Sequence, residues 1–240
     1  KQEIAKKNQM DLANTVKNGG VEYIEIDDTQ IGLNSENLLI TMNGKDGKPF
    51  KTRDGGIMSL RELISIVKTE TRKVIKDNIK EEDKDDLAEV LAIAAIKYAD
   101  LLPNRTSDYV FDPIKFSDIN GKTGPYILYS TVRMKSLLSK SNLKYNKYYK
   151  INTKEERDIL INIIKLRSVI EKSFNMRSLN EICEYIYKLT SSFNAFYSNH
   201  EVLTEQDELV KESYLTLINE VYIINKYLLN ILAITLPDKI

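Results

Sequence analysis

Tyr126, Tyr129 and Arg133 stand at three- and four-residue spacing in the segment GPYILYSTVRMKS. On a helix that spacing puts two phenol rings and a guanidinium on one face. Rings of this kind offer stacking surface to nucleic-acid bases, and a cation beside them meets a phosphate. The surrounding charge has the same sense. Residues 119–154 carry seven lysines and one arginine, no acidic residue, and five interleaved tyrosines. The competing reading turns both rings into a helix core and leaves the lysines as a solvated surface. Composition alone leaves both readings open.

A second candidate for chemistry is NGKDGKPFKTRDGG at 43–56, where Lys45, Lys48, Lys51 and Arg53 surround Pro49 and Phe50. Glycine-rich backbone with several cations suits a polyphosphate, whose oxygens gain charge as a leaving group departs. The segment matches neither GxxxxGK[ST] nor GxGxxG. A solvated basic turn is the alternative.

Other chemistries are closed off by residue counts. One cysteine, Cys183, allows no internal disulfide and no multi-cysteine zinc site, and its apolar neighbours predict a buried thiol. One histidine, His200 in the polar string SNHE, reads as a loop residue and permits no ordinary histidine triad or histidine metal site. No metal site is expected within the chain. No apolar run reaches the roughly 18 residues of a membrane span, and no signal peptide is visible, so a cytoplasmic protein without membrane contact is expected. Net charge is zero, but Lys80 to Glu89 holds six acids against two lysines, so local rather than total charge would guide a polyanion.

These residues need elements to position them. Apolar spacing predicts helices at 4–16, 59–79 and 85–102, with Ser59 and Glu62 as a capping box. Short strands are predicted at 21–26 and 38–42, and an extended piece at 109–111. The helix at 85–102 is apolar nearly all round, which predicts burial. Beyond residue 122 the pattern is helical almost throughout, with helices at 125–140, 153–173, 177–197 and 204–234. Short connections favour an antiparallel bundle. The expected fold is mostly α with a small α/β N-terminal portion, divided into 1–122 and 123–240.

GKDGKPFKTRDGG followed by a helix resembles the catalytic loop of arginyl-tRNA synthetases with a degenerate KMSKS signature. KYADLLPNRTSDYVFD is similar to the segment after that loop, and GKTGPYILYSTVRMKS to the start of the anticodon-binding helical domain. SSFNAFYSNHEVL and the closing LAITLPDKI resemble the last two helices of that domain. These segments fall in family order over residues 38–240.

The resemblance implies the C-terminal part of a class I synthetase that joins L-arginine to tRNA(Arg) through an arginyl-adenylate made from ATP, with Mg²⁺ accompanying ATP in the full-length enzyme. In that setting 1–122 ends the catalytic domain, with the KMSKS-like loop at 44–56, and 123–240 is the anticodon-binding domain. Lys48, Phe50, Lys51, Thr52 and Arg53 would close over the ATP phosphates. Thr52 stands where the family usually has lysine, which makes Lys51 the first choice and Arg53 the second for stabilising the departing pyrophosphate. Tyr126, Tyr129 and Arg133 match positions that meet the anticodon stem and loop. Tyr197 and Ile240 fall near positions that hold anticodon bases, although Ile240 replaces a common terminal methionine, and the neighbours Phe193 and Phe196 also suit Tyr197 to a core. A His-Ile-Gly-His signature is absent, and residues 1–37 match poorly.

A monomer unable to form arginyl-adenylate alone is therefore expected. The start at Lys1 suggests an excised piece. The alternatives are a free-standing synthetase-like tRNA-binding protein without catalysis, and a helical scaffold with a solvated basic face.

Overall fold

The computed structural model describes residues 42–44, 47, 58–76, 79–104, 107–141 and 151–240. The predicted helix at 4–16, the strand at 21–26 and the loop residues Lys48, Phe50, Lys51, Thr52 and Arg53 lie outside them.

The chain from Met42 to Ile240 forms one compact unit. It begins with β1 (Met42–Asn43), which pairs in parallel with β2 (Tyr109–Val110) in the register Met42 to Tyr109 and Asn43 to Val110. Phe111 N–H extends the pairing to the Asn43 carbonyl at 2.8 Å. Between the strands run α1 (Leu60–Val74) and α2 (Glu81–Leu101), followed after β2 by the short α3 (Pro113–Ser117). Ser59 caps α1 in the predicted capping box: its Oγ accepts from Glu62 N–H, and the Glu62 carboxylate accepts from Ser59 N–H at 2.8 Å. Both bonds satisfy donors that a helix start leaves unpaired.

The all-helical remainder comprises α4 (Gly124–Lys140), α5 (Lys154–Ile164), α6 (Leu166–Met176), α7 (Asn180–Asn199) and α8 (Glu208–Ile231). The single helix predicted at 153–173 is thus two. At the break the Asn162 carbonyl accepts from Lys165 N–H at 3.1 Å and from Tyr185 Oη of α7 at 2.8 Å. A side chain from another helix diverts the ladder at a point where the hydrophobic period runs on uninterrupted.

α2 is the pivot of the fold. Leu91, Ala94 and Tyr98 belong to the main core with Ile127, Leu128, Ile186, Phe193 and Leu215. Ala92, Ala95 and Ala99 belong to a smaller core with Leu63, Val67 and Phe111. The all-round apolar character of this helix follows from facing both. The Tyr98 hydroxyl, fully buried, donates to the Cys183 carbonyl at 2.9 Å. Cys183 is itself buried, and burial pushes its thiol up to about 12, as befits a core residue.

Small residues on α2 let α4 approach closely. A Cβ placed on Gly124 would lie 2.3 Å from the Ala94 carbonyl oxygen, so only glycine fits there. Thr123 caps α4 by accepting from Tyr126 N–H at 3.1 Å, and Pro125 occupies the first turn, where its missing N–H costs nothing. Farther along, Asn225 of α8 is fully buried and donates to Thr131 of α4 at 3.1 Å and Thr190 of α7 at 3.0 Å. One amide thereby fixes the mutual register of three helices.

Candidate RNA-binding cleft

α8 stops at Ile231, short of the predicted 234, without a glycine. Ala233 takes the left-handed conformation (φ 52). Its N–H bonds the Asn230 carbonyl at 3.0 Å, and Ile234 N–H reaches back to Leu229 at 2.9 Å. This is a Schellman-type stop in a residue that pays for its Cβ. Burial of Ile234 and the Lys97 ammonium on the Ala233 carbonyl hold the turn. It sends the last residues back toward α4, where Lys135 Nζ meets Asp238 Oδ1 at 2.6 Å.

The returning tail closes a cleft of about 870 Å³ whose lining includes Tyr129, Arg133, Tyr197, Lys140, Lys239 and Ile240. Four of the five residues predicted to bind RNA therefore meet in one place, although they come from α4, α7 and the chain end. The Arg133 guanidinium carbon lies 5.1 Å from the Tyr129 ring centroid and 5.4 Å from that of Tyr197, so one cation spans two rings. Tyr197 also stacks on buried Phe193, with ring centroids 5.9 Å apart and planes 20° apart. The core and cleft readings of Tyr197 are both realised, one on each side of a half-buried ring. Ile240 packs its side chain on the main core.

Burial pushes the Tyr129 phenol up, but Lys76 and Arg133 beside its oxygen outweigh that, and the net effect holds it below the ordinary tyrosine range. The cleft thus combines half-exposed aromatic surface with an excess of cations. Arg133, Lys140 and Lys239 add to Lys135, which is committed to Asp238.

Tyr126 falls outside this cleft. Its hydroxyl accepts from Asn194 Nδ2 at 2.8 Å, and its ring lies 5.7 Å from that of Tyr187, in the seam between α4 and α7. The spacing that put Tyr126 and Tyr129 on one face is correct, but α7 covers that face unevenly. Tyr187, half-buried with the Lys122 ammonium 5.6 Å from its ring, is an aromatic–cation pair that sequence reasoning passed over because it sits among core residues of α7. His200, read as a loop residue, lies just beyond the end of α7 in extended backbone and caps it. Its ring stacks on Phe196 at 4.5 Å, and its Nδ1 lies 2.8 Å from the Phe196 carbonyl oxygen. Among the described residues no group of three or more His, Cys, Asp or Glu is placed to hold a metal ion, and no helix is long and apolar enough to cross a membrane.

Residues 127–240 match the DALR anticodon binding domain family, and residues 24–113 match the catalytic domain family of class I tRNA synthetases (R). Together they define a piece of a class I aminoacyl-tRNA synthetase, with the helical anticodon-binding domain following catalytic-domain sequence. Curated relatives include the arginine–tRNA ligase of Agathobacter rectalis, 38% identical over 215 residues, covering 83% of this chain and 36% of the relative. That of Alkaliphilus oremlandii is 39% identical over 205 residues, covering 83% and 35%. The fold is shared with Thermus thermophilus arginyl-tRNA synthetase, with a TM-score of 0.73 and 21% identity over 83% of this chain and 34% of that one. The chain belongs to the arginyl-tRNA synthetase family and matches its C-terminal part. It spans about a third of the length of the curated relatives it matches.

Proposed function

We propose that this chain is the part of an arginine–tRNA ligase that holds the anticodon arm of tRNA(Arg), within an enzyme that attaches L-arginine to that tRNA using ATP. The observation that carries the reading is Arg133 placed over both Tyr129 and Tyr197 in a cleft closed by Ile240. A base stacked on an exposed tyrosine contributes about 1–3 kcal/mol, and the neighbouring cation draws the adjoining phosphate. Ile240 offers an apolar edge for a base, and Tyr126 contributes at most its half-exposed ring beside Tyr187.

In this reading the chain divides at 122/123. Loop 44–56 belongs over the ATP phosphates, with Lys51 and then Arg53 as the charge-stabilising cations and Lys48, Phe50 and Thr52 around them. No described residue is assigned to Mg²⁺, which would enter with ATP. The enzyme works in the cytoplasm as a monomer, and this chain alone lacks the means to make an adenylate.

The test is a titration of the chain with the anticodon stem-loop of an arginine tRNA, followed by fluorescence anisotropy. Changing Tyr129 and Arg133 together to alanine should weaken binding at low salt by at least about tenfold, from one lost stack and one lost phosphate contact. Changing Lys115 and Lys172, which are exposed and not part of the cleft lining, should cost far less. Equal losses in the two double variants would reduce the interaction to nonspecific electrostatics and overturn the reading.

A further inference from the structure

The linker between α1 and α2 reaches the cleft from outside the helices that form it. Ile79 is part of the lining, and the Lys76 ammonium lies 4.8 Å from the Tyr129 ring centroid. Both residues fall in the segment that matches the catalytic-domain family, whereas Tyr129, Arg133, Tyr197 and Ile240 fall in the anticodon-domain match.

The placement of Lys76 has a local cause. α1 ends at Val74, and its cap Ile75 is extended (φ −73, ψ 130) with its side chain buried in the main core. In extended backbone successive side chains point to opposite sides. Anchoring Ile75 inward therefore turns Lys76 outward, and Lys76 is exposed. Two cations then share one ring. Lys76 and Arg133 both act on the Tyr129 phenol, strongly enough to outweigh its burial. Like charges gathered at one aromatic repel each other, and an anion between them removes that repulsion. Of the cleft's other cations, Lys135 is already committed to Asp238.

We infer that Lys76 is an RNA-binding residue of this cleft, pairing with the backbone phosphate of the nucleotide whose base stacks on Tyr129. The inference rests on the RNA-binding reading above and deepens it: the anticodon-binding helices do not complete their own site. The linker that follows α1 supplies a contact, so the two matched segments grip the same nucleotide. The occupant is single-stranded RNA because the site offers a stacking ring with a cation on its rim.

The experiment titrates the chain with the same stem-loop at several salt concentrations, comparing the parent with Lys76→Ala, Lys76→Arg and the Tyr129→Ala/Arg133→Ala double variant. One phosphate contact on single-stranded RNA contributes about 0.7 to the salt slope. Lys76→Ala should therefore bind about eightfold more weakly at roughly 50 mM salt, but only about threefold more weakly at roughly 200 mM. Lys76→Arg should retain the parent slope. Lys76 is exposed, so an unchanged unfolding midpoint will show that each variant is folded. Parent-like affinity in Lys76→Ala, with binding lost in the double variant, would overturn this inference while leaving the cleft assignment intact. If the double variant also binds like the parent, the cleft assignment itself fails. A loss in Lys76→Ala that stays constant across salt would mean that Lys76 only positions Tyr129, and would overturn the phosphate contact.

Discussion

Changing Gly124 to alanine tests how α4, and with it the cleft, is seated on the rest of the chain. The new Cβ would sit 2.3 Å from the Ala94 carbonyl oxygen, 2.6 Å from its carbon and 3.1 Å from the Ala95 nitrogen. All three are backbone atoms of α2, so no rotamer change relieves the contact. Ordinary van der Waals separation requires α4 to move off α2 by about 1 Å, which forfeits a quarter to a half of the dispersion between the facing side chains. Such overpacking costs about 1–3 kcal/mol. Against it stands a gain of about 0.5–1 kcal/mol, because alanine is less free than glycine in the unfolded chain. Because the contacts are with rigid backbone, the clash falls in the upper half of that range, about 2–3 kcal/mol, and wins by about 1–2 kcal/mol. For a unit of this size that lowers Tm by about 2–8 °C. Thermal unfolding followed by circular dichroism reads the shift without RNA. A variant as stable as the parent would refute the close approach of the two helices.

Two further outcomes follow. The thiol of Cys183 is raised by burial to about 12 from an ordinary 9, so its contribution to stability is complete below pH 9. Above that the unfolded thiol ionises first, and stability falls until the folded thiol ionises near 12. At pH 8 a disulfide reagent should therefore label Cys183 only as fast as the protein opens. Labelling at the rate of a free thiol would contradict the burial. The chain assayed alone with ATP, L-arginine and Mg²⁺ should show no ATP–pyrophosphate exchange. Exchange above background would show that it carries a complete adenylate site.

The sequence by itself determined the helical periods, the capping box at Ser59, the burial of the helix at 85–102 and the family, because these rest on local spacing and residue type. Tyr129, Arg133, Tyr197 and Ile240 were legible as separate candidates by resemblance. Arg133 meets both rings through the packing of α4 beside α7, and Ile240 joins them only through a turn at Ala233, which carries no glycine to announce it. Burial of Ile234 and the hold of Lys97 on the Ala233 carbonyl keep that strained residue left-handed, and both are contacts between distant segments. The break at Lys165 has the same origin, since the hydroxyl that takes the Asn162 carbonyl comes from Tyr185 on another helix. Nor could spacing separate Tyr126 from Tyr129, which share one helical face until α7 packs over the first and leaves the second open. Lys76 was invisible as a site residue because it lies more than fifty positions from the ring it faces. Local rules set which face a side chain takes. Only packing decides what that face meets.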